Sequence, residues 1–122
     1  MKFLTVQLII QIHEKVIESH ELQGFAGNKS IESVISRINN RITFGLIEDV
    51  FALAACYASF ISVGNLFNDA NKRTAFMAMD ICLLLNGIKL TYETEIVGQL
   101  IVKLSQGEID EMDLAKWLRN QI

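Results

Sequence analysis

The sequence predicts a compact all-α domain of about six helices, and three observations carry that prediction. The 122 residues include no proline, so no helix need be interrupted. Hydrophobic residues make up 51% of the chain and recur at helical spacing through most of it. Ser, Thr and Asp stand before several of these runs and glycine follows some of them, the residues that start and stop helices. At this length a single domain covering residues 1–122 closes its own core without staples.

The elements follow in order. Residues 5–19 place Ile9, Ile12, Val16 and Ile17 on one face and Gln7, Gln11, Glu14, Lys15 and Glu18 on the other, the pattern of an amphipathic surface helix. His20 to Lys29 carry two glycines and read as an exposed, mobile loop. Ser30 then caps a second helix with the face Ile31, Val34, Ile35, Ile38 and Ile42. Glu48–Ile61 and Ala70–Leu85 are apolar almost all round, which predicts a buried central pair. Asn86-Gly87 ends the second of these. Ile88–Leu90 suits a short extended link, Thr91 is placed to cap a fifth helix running to about Leu104, and Asp110 caps a last helix carrying Met112, Leu114, Trp117 and Leu118.

Composition narrows the function. A net charge of −3 and a pI near 5.3 argue against direct nucleic-acid binding through bulk electrostatics. Val50–Asn68 carries no charge, but polar residues and Gly64 crowd its end, so a buried helix is expected rather than a membrane span. The N-terminal apolar run is broken by Gln7 and Gln11 and lacks a small-residue cleavage site, which makes it a helix and not a signal. Cys56 and Cys82 sit inside apolar segments and read as core residues, consistent with a cytoplasmic protein.

Residues 64–76, GNLFNDANKRTAF, do not fit a bland core. Lys72 and Arg73 lie in the first turn of an apolar helix opened by Asp69 or Ala70. Helix starts favour anions, because their leading N–H groups are unpaired and the macrodipole is positive there. The N–H groups of Ala70, Asn71, Lys72 and Arg73 form an anion cradle at such a start. Lys72 adds a point charge, Arg73 a fork for two phosphate oxygens, and Asn71 amide donors. Asp69 is the one carboxylate beside them, the usual protein ligand for Mg²⁺ next to phosphates. Phe67 is expected to turn inward and pin the loop. Taken in isolation, DANKR reads more readily as an N-cap with solvated cations, since charge clusters at helix ends are common.

The segment Asn65 to Arg73, N-L-F-N-D-A-N-K-R, resembles the Fic/Doc family signature H-x-F-x-D/E-G/A-N-G/K-R, and its Lys72 variant resembles the Doc toxins. The likeness extends to the first helix, glycine loop and second helix and to LLLNG at the end of the motif helix, covering most of residues 8–87. It implies a Fic fold that binds ATP and Mg²⁺. Most Fic proteins adenylylate a Ser, Thr or Tyr hydroxyl, whereas Doc-type proteins move the ATP γ-phosphate to a threonine of elongation factor Tu and stop translation. It also implies a Phd-like antitoxin partner whose disordered tail folds into a groove near the site. Carried over by position, Asp69 is the metal ligand, Asn71 and Arg73 contact phosphate, and Lys72 reshapes the cradle so that ATP lies reversed. Phe76 stands where adenylylating members carry a second Arg, which also favours the Doc branch.

The family's general-base histidine falls at Asn65. An amide cannot accept the proton of a target hydroxyl, so the chain should bind nucleotide but transfer poorly, a loss of about 10²–10⁴-fold. A deliberately disabled toxin and a natural member with lost or altered activity both fit. A catalytically silent nucleotide- or protein-binding module and a protein adenylyltransferase are the alternatives. Of the only two histidines, His13 faces the apolar side of its helix and suits hydrogen-bonded packing, and His20 opens the glycine loop in solvent. Asp80, two turns past Arg73, reads as a structural partner for a cation.

Overall fold

Leu53 to Ser62 are buried without a break, and the architecture is the set of helices needed to surround them. The computed structural model describes residues 1–27 and 30–122. Its elements are α1 (Val6–Val16), α2 (Ile31–Thr43), α3 (Val50–Ser62), α4 (Asn71–Leu85), α5 (Thr94–Ser105) and α6 (Glu111–Arg119). Asn28 and Lys29, the end of the expected glycine loop, lie outside the described residues. Among those described, extended pairing is confined to one isolated bridge, between Phe25 and Phe67. The all-α reading of the sequence holds.

The α3–α4 contact is the largest in the molecule, and α2, α5 and α6 close the other sides of α3 while α1 rests on α4 and α2. Fully buried Ala54, Ala55 and Ala58 on α3 and Ala75 and Ala78 on α4 keep the side-chain layer between helices thin, which permits close axes. Two buried hydroxyls satisfy themselves on the preceding turn: Ser62 donates to the Ala58 carbonyl at 2.6 Å and Thr74 to the Ala70 carbonyl at 2.8 Å. The Tyr57 hydroxyl accepts from the Leu4 N–H at 2.9 Å, tying the N-terminal segment to the core. Cys56 and Cys82 are free, buried thiols, pushed up to about 11 and about 12 by burial.

Helix starts agree with the caps expected at Ser30 and Asp110. Ser30 Oγ accepts from the Ser33 N–H at 3.1 Å, and Asp110 and Asp113 form a reciprocal capping box. After α4, Gly87 turns left-handed at φ 78°, and the Ile88 and Gly87 N–H groups donate back to the Leu83 and Leu84 carbonyls, a full Schellman end. Three expectations need correction. The fifth helix starts at Thr94 with Glu93 as its cap, because the link runs past Thr91 to seat Tyr92 against Phe76 and Trp117. Asp80 is paired with no cation among the described residues but accepts from the Tyr92 hydroxyl at 2.6 Å. Finally, α4 buries one stripe rather than its whole circumference, since Met77, Leu84 and Leu85 are exposed.

The end of α6 is joined to the start of α3 by a two-bond grip. Arg119 Nε and Nη2 donate to the two Asp49 oxygens at 2.6 and 3.0 Å, while Asp49 Oδ1 also caps α3 through the Ala52 N–H at 2.8 Å. The Arg119 bonds hold the Asp49 carboxyl below its ordinary value of 3.8. A depressed carboxyl stabilises the fold above its unfolded pKa and loses that contribution as pH falls through the folded one. Arg119→Ala is therefore expected to lower stability at pH 7 by about 0.5–1 kcal/mol, the scale of a partly exposed pair. The deficit against the parent protein should shrink in urea titrations as pH is taken below the ordinary Asp range. A deficit that does not change with pH would show that Arg119 acts by packing alone.

Candidate functional site

The segment joining α3 to α4 is shaped by two tight backbone requirements. A Cβ on Gly64 would lie 2.5 Å from the Phe60 carbonyl oxygen, so the chain can leave α3 along this path only with glycine there. Asn65 (φ 46°) and Ala70 (φ 63°) then bracket the loop in the left-handed region. Asn tolerates that region through its short polar side chain, while Ala carries a cost of about 1–2 kcal/mol. Strained backbone of this kind concentrates at functional sites. Because the N-cap position is Ala70, which offers no side-chain acceptor, α4 begins with an open anion-attracting end.

Inside the loop, Phe67 is the anchor that the sequence leads one to expect. It is 3% exposed, lies flat on the His13 ring at 3.6 Å and 4°, and stacks on its other side with Phe25 at 5.2 Å. His13 Nε2 sits 3.0 Å from the Asp69 carbonyl; a carbonyl only accepts, so Nε2 carries the proton and His13 is a packing donor, as its place on the apolar face of α1 implied. Asn71 turns back on the loop, accepting from the Phe67 N–H at 2.9 Å and donating to the Phe67 carbonyl at 2.8 Å. The amide expected to meet phosphate thus also clamps the loop that carries the site.

The described part of the glycine loop is pinned to the motif. Ala26 N–H donates to the Leu66 carbonyl at 3.1 Å and Asn68 N–H to the Gly24 carbonyl at 3.0 Å, and Asn68 Nδ2 donates to the Gln23 carbonyl at 2.8 Å. This register turns the N–H and C=O of Phe25 itself away from the motif. His20 is exposed beside Glu18.

The charged groups converge as the motif implied. Lys72 and Arg73 are exposed in the first turn of α4, and Asn65 is exposed at the other end of the loop. Asp69 is partly exposed; its Oδ1 accepts from the Ala70 N–H at 2.9 Å and its Oδ2 lies a long 3.4 Å from the Leu22 N–H. No group of three or more potential metal-ligating side chains occurs among the described residues. A lone, partly exposed carboxylate beside an anion cradle suits Mg²⁺, which takes one or two carboxylates and completes its shell with phosphates and water. Arg73 brings in a residue that no local sequence signal marks: Nη1 donates to the Val16 carbonyl at 2.8 Å and Nη2 pairs with Glu21. The Arg73 bond, with the Glu18 N–H second, holds the Glu21 carboxyl down to about 2. From Lys72 and Arg73 an open groove of about 1140 Å³ runs between α4 and α5 over Phe76, Met77 and Val102.

With this geometry in hand, the comparisons with known proteins are specific. Residues 3–83 match the profile of the Fic/DOC family. The chain is also similar to the protein kinase doc of Escherichia phage P1, with 30% identity over 120 residues, which is 98% of this chain and 94% of that relative.

The steric reading of the loop is directly measurable. Gly64→Ala should cost about 1–3 kcal/mol, since its methyl meets backbone that cannot rotate away, and should lower the melting temperature accordingly. Gly98→Ala on α5, where a Cβ meets nothing within 4 Å, should stabilise by about 0.5–1 kcal/mol on helix propensity. Equal melting temperatures for the two variants would overturn the account of Gly64.

Proposed function

The chain belongs to the Fic/Doc family, and from that premise we propose that it is a Doc-type toxin, a protein phosphotransferase whose own activity is impaired at Asn65. The observation that carries this reading is the exposed start of α4. Left-handed Ala70 leaves the helix end uncapped, Lys72 and Arg73 occupy its first turn, and Asp69 stands beside them. ATP is the substrate this cradle suits. Asn71 N–H, Lys72 and Arg73 receive phosphate oxygens, and Asp69 is the protein ligand for Mg²⁺. When bound, the metal supplies charge neutralisation on the phosphates.

The remaining work falls to the loop and the flanking segments. Asn65, exposed and left-handed, stands at the family's general-base position, where its amide can orient a target hydroxyl but cannot take its proton. The backbone N–H and C=O of Phe25, turned outward by its pairing with the motif, are placed to meet target backbone. The γ-phosphate as the transferred group rests on Lys72 and on Phe76 at the position of a second Arg in adenylylating relatives. A threonine of elongation factor Tu is the proposed acceptor, and a Phd-like antitoxin segment in the α4–α5 groove the proposed regulator. The two buried free thiols support placing this activity in the cytoplasm. Asn65 itself favours a second reading, a silent module that binds nucleotide or protein without transfer.

Labelled ATP decides between them. Asn65→His is expected to fold normally, because His also tolerates positive φ and the position is exposed. It should transfer the γ-label to a translation factor with a gain of about 10²–10⁴-fold over the Asn form. A folded, ATP-binding His variant that labels nothing in a cell extract would favour the silent module, and α-label transfer would favour adenylylation.

Binding is tested separately. Saturating Mg²⁺-ATP, at about 100 times Kd, should stabilise the present chain by about 2.7 kcal/mol. Arg73→Ala should abolish the shift and Asp69→Ala should remove its Mg²⁺ dependence. An unchanged shift in both variants would move the site elsewhere.

A further inference from the structure

Away from the α4 start, Arg41, Arg73 and Arg119 are each held by a carboxylate, of Glu111, Glu21 and Asp49 respectively. Arg37, the remaining arginine, has no carboxylate partner among the described residues. It is exposed, and its guanidinium lies over the Phe60 ring at 5.6 Å, one turn of α2 from Arg41, whose guanidinium covers the same ring at 4.9 Å. The aromatic face fixes the position of both cations, and with Asn40 these residues line an open cleft of about 530 Å³. Its rim is apolar. Phe44 is 77% and Leu46 66% exposed, and the turn that carries them is ordered. Leu46 N–H donates to the Arg41 carbonyl at 2.8 Å and Gly45 N–H to the Ile42 carbonyl at 3.0 Å, with Gly45 left-handed at φ 70°, a Schellman end to α2. The residue in Leu46's place commonly folds back on its helix; here it faces solvent.

The sign of the charge reverses across the Arg41–Glu111 pair, which joins the end of α2 to the start of α6. Beyond it, Glu108, Asp110, Glu111 and Asp113 line a second cleft of about 360 Å³, over Ser59 and Val63 at the end of α3. Asp110 and Asp113 are spent on the α6 capping box and Glu111 on Arg41. Glu108 is exposed and has no cation partner among the described residues. Met112, the neighbour of Glu111, is 74% exposed. An available cation and an available carboxylate thus flank one bridging pair, with protruding apolar side chains at the ends of the two helices that the pair joins. A surface with both signs on it can match its own copy, because a twofold axis sets each half against the other half of the partner. Ordered, exposed apolar groups rimmed by charge mark a surface that is covered in use.

We propose that this face binds a second copy of the chain about a twofold axis, Arg37 of each copy meeting Glu108 of the other while Phe44, Leu46 and Met112 are covered at the centre. The inference is independent of the nucleotide reading, since none of these residues belongs to the loop from Asn65 to Arg73. The charge pairs set the register of the two copies, and the apolar side chains supply the burial.

Sedimentation velocity of the full chain, from micromolar to millimolar concentration, tests this directly. The mass should rise from 13.7 kDa towards twice that value. Arg37→Glu and Glu108→Arg each set like charges opposite one another and should weaken the dimer by about tenfold or more. Phe44→Ser should weaken it as well without touching a charge. The decisive arm is the exchange of signs: the double variant Arg37→Glu/Glu108→Arg, and an equimolar mixture of the two single variants, should both recover the dimer, because every facing pair is again of opposite sign. All these positions are exposed, so melting temperatures should stay close to that of the parent, and the mixture supplies the readout even if the double variant does not fold. A parent that stays monomeric at millimolar concentration overturns the proposal, and sends the search for an occupant of this face to another protein. A dimer unaffected by Arg37→Glu and Phe44→Ser places the contact elsewhere and overturns it too. Dimers lost in the single variants and not recovered by the exchange overturn the Arg37–Glu108 register.

Discussion

The constraint on which the molecule depends is a helix with no wet side. From Leu53 to Ser62 every residue of α3 is buried, and a segment of that kind is stable in water only if other elements enclose it. α4 supplies the largest cover, α2, α5 and α6 the rest. The candidate site is the exit from this buried rod into its main partner. Its loop inherits rigidity from both ends, through Gly64 against Phe60 on one side and the Asn71–Phe67 clamp on the other. Groups that must hold a polyanion in one geometry need such support from the residues behind them.

Support and function are interleaved rather than separated. His13, from α1, packs on Phe67 and bonds the Asp69 carbonyl; Phe25, from the glycine loop, closes the other face of the same ring. The loop is therefore a sandwich of three aromatic rings drawn from three parts of the chain. The backbone strain at Ala70 is tolerated because these contacts and the buried Thr74 hydroxyl bond overdetermine the turn.

Much of this was legible in the sequence because it is local. Periodicity and caps placed the helices, and the spacing of Asn65, Phe67, Asp69 and Lys72-Arg73 pointed to the family and to a candidate site. What the sequence did not show depends on contacts between distant segments. Glu21 lies 52 residues from Arg73, in a stretch whose glycines spoke only of freedom, and nothing near it announces a partner. Thr91 failed as a cap for a similar reason: a tertiary demand, seating Tyr92 against Phe76 and Asp80, overrode a good local signal. The even apolar spread along α4 concealed that one flank borders an open groove, because periodicity cannot distinguish a side chain facing a helix from one facing a cleft.

The two cysteines give the molecule a practical property. Both thiols are enclosed between the central helices and their burial keeps them protonated far above neutral pH, whereas alkylating and maleimide reagents attack the thiolate. The native protein should therefore be nearly inert to such dyes while folded. One cysteine introduced on the turn that carries Glu21 and another at the far end of α4 would accept a fluorophore pair against a silent background. The position of the turn relative to the helix then becomes a distance that can be followed in one molecule at a time.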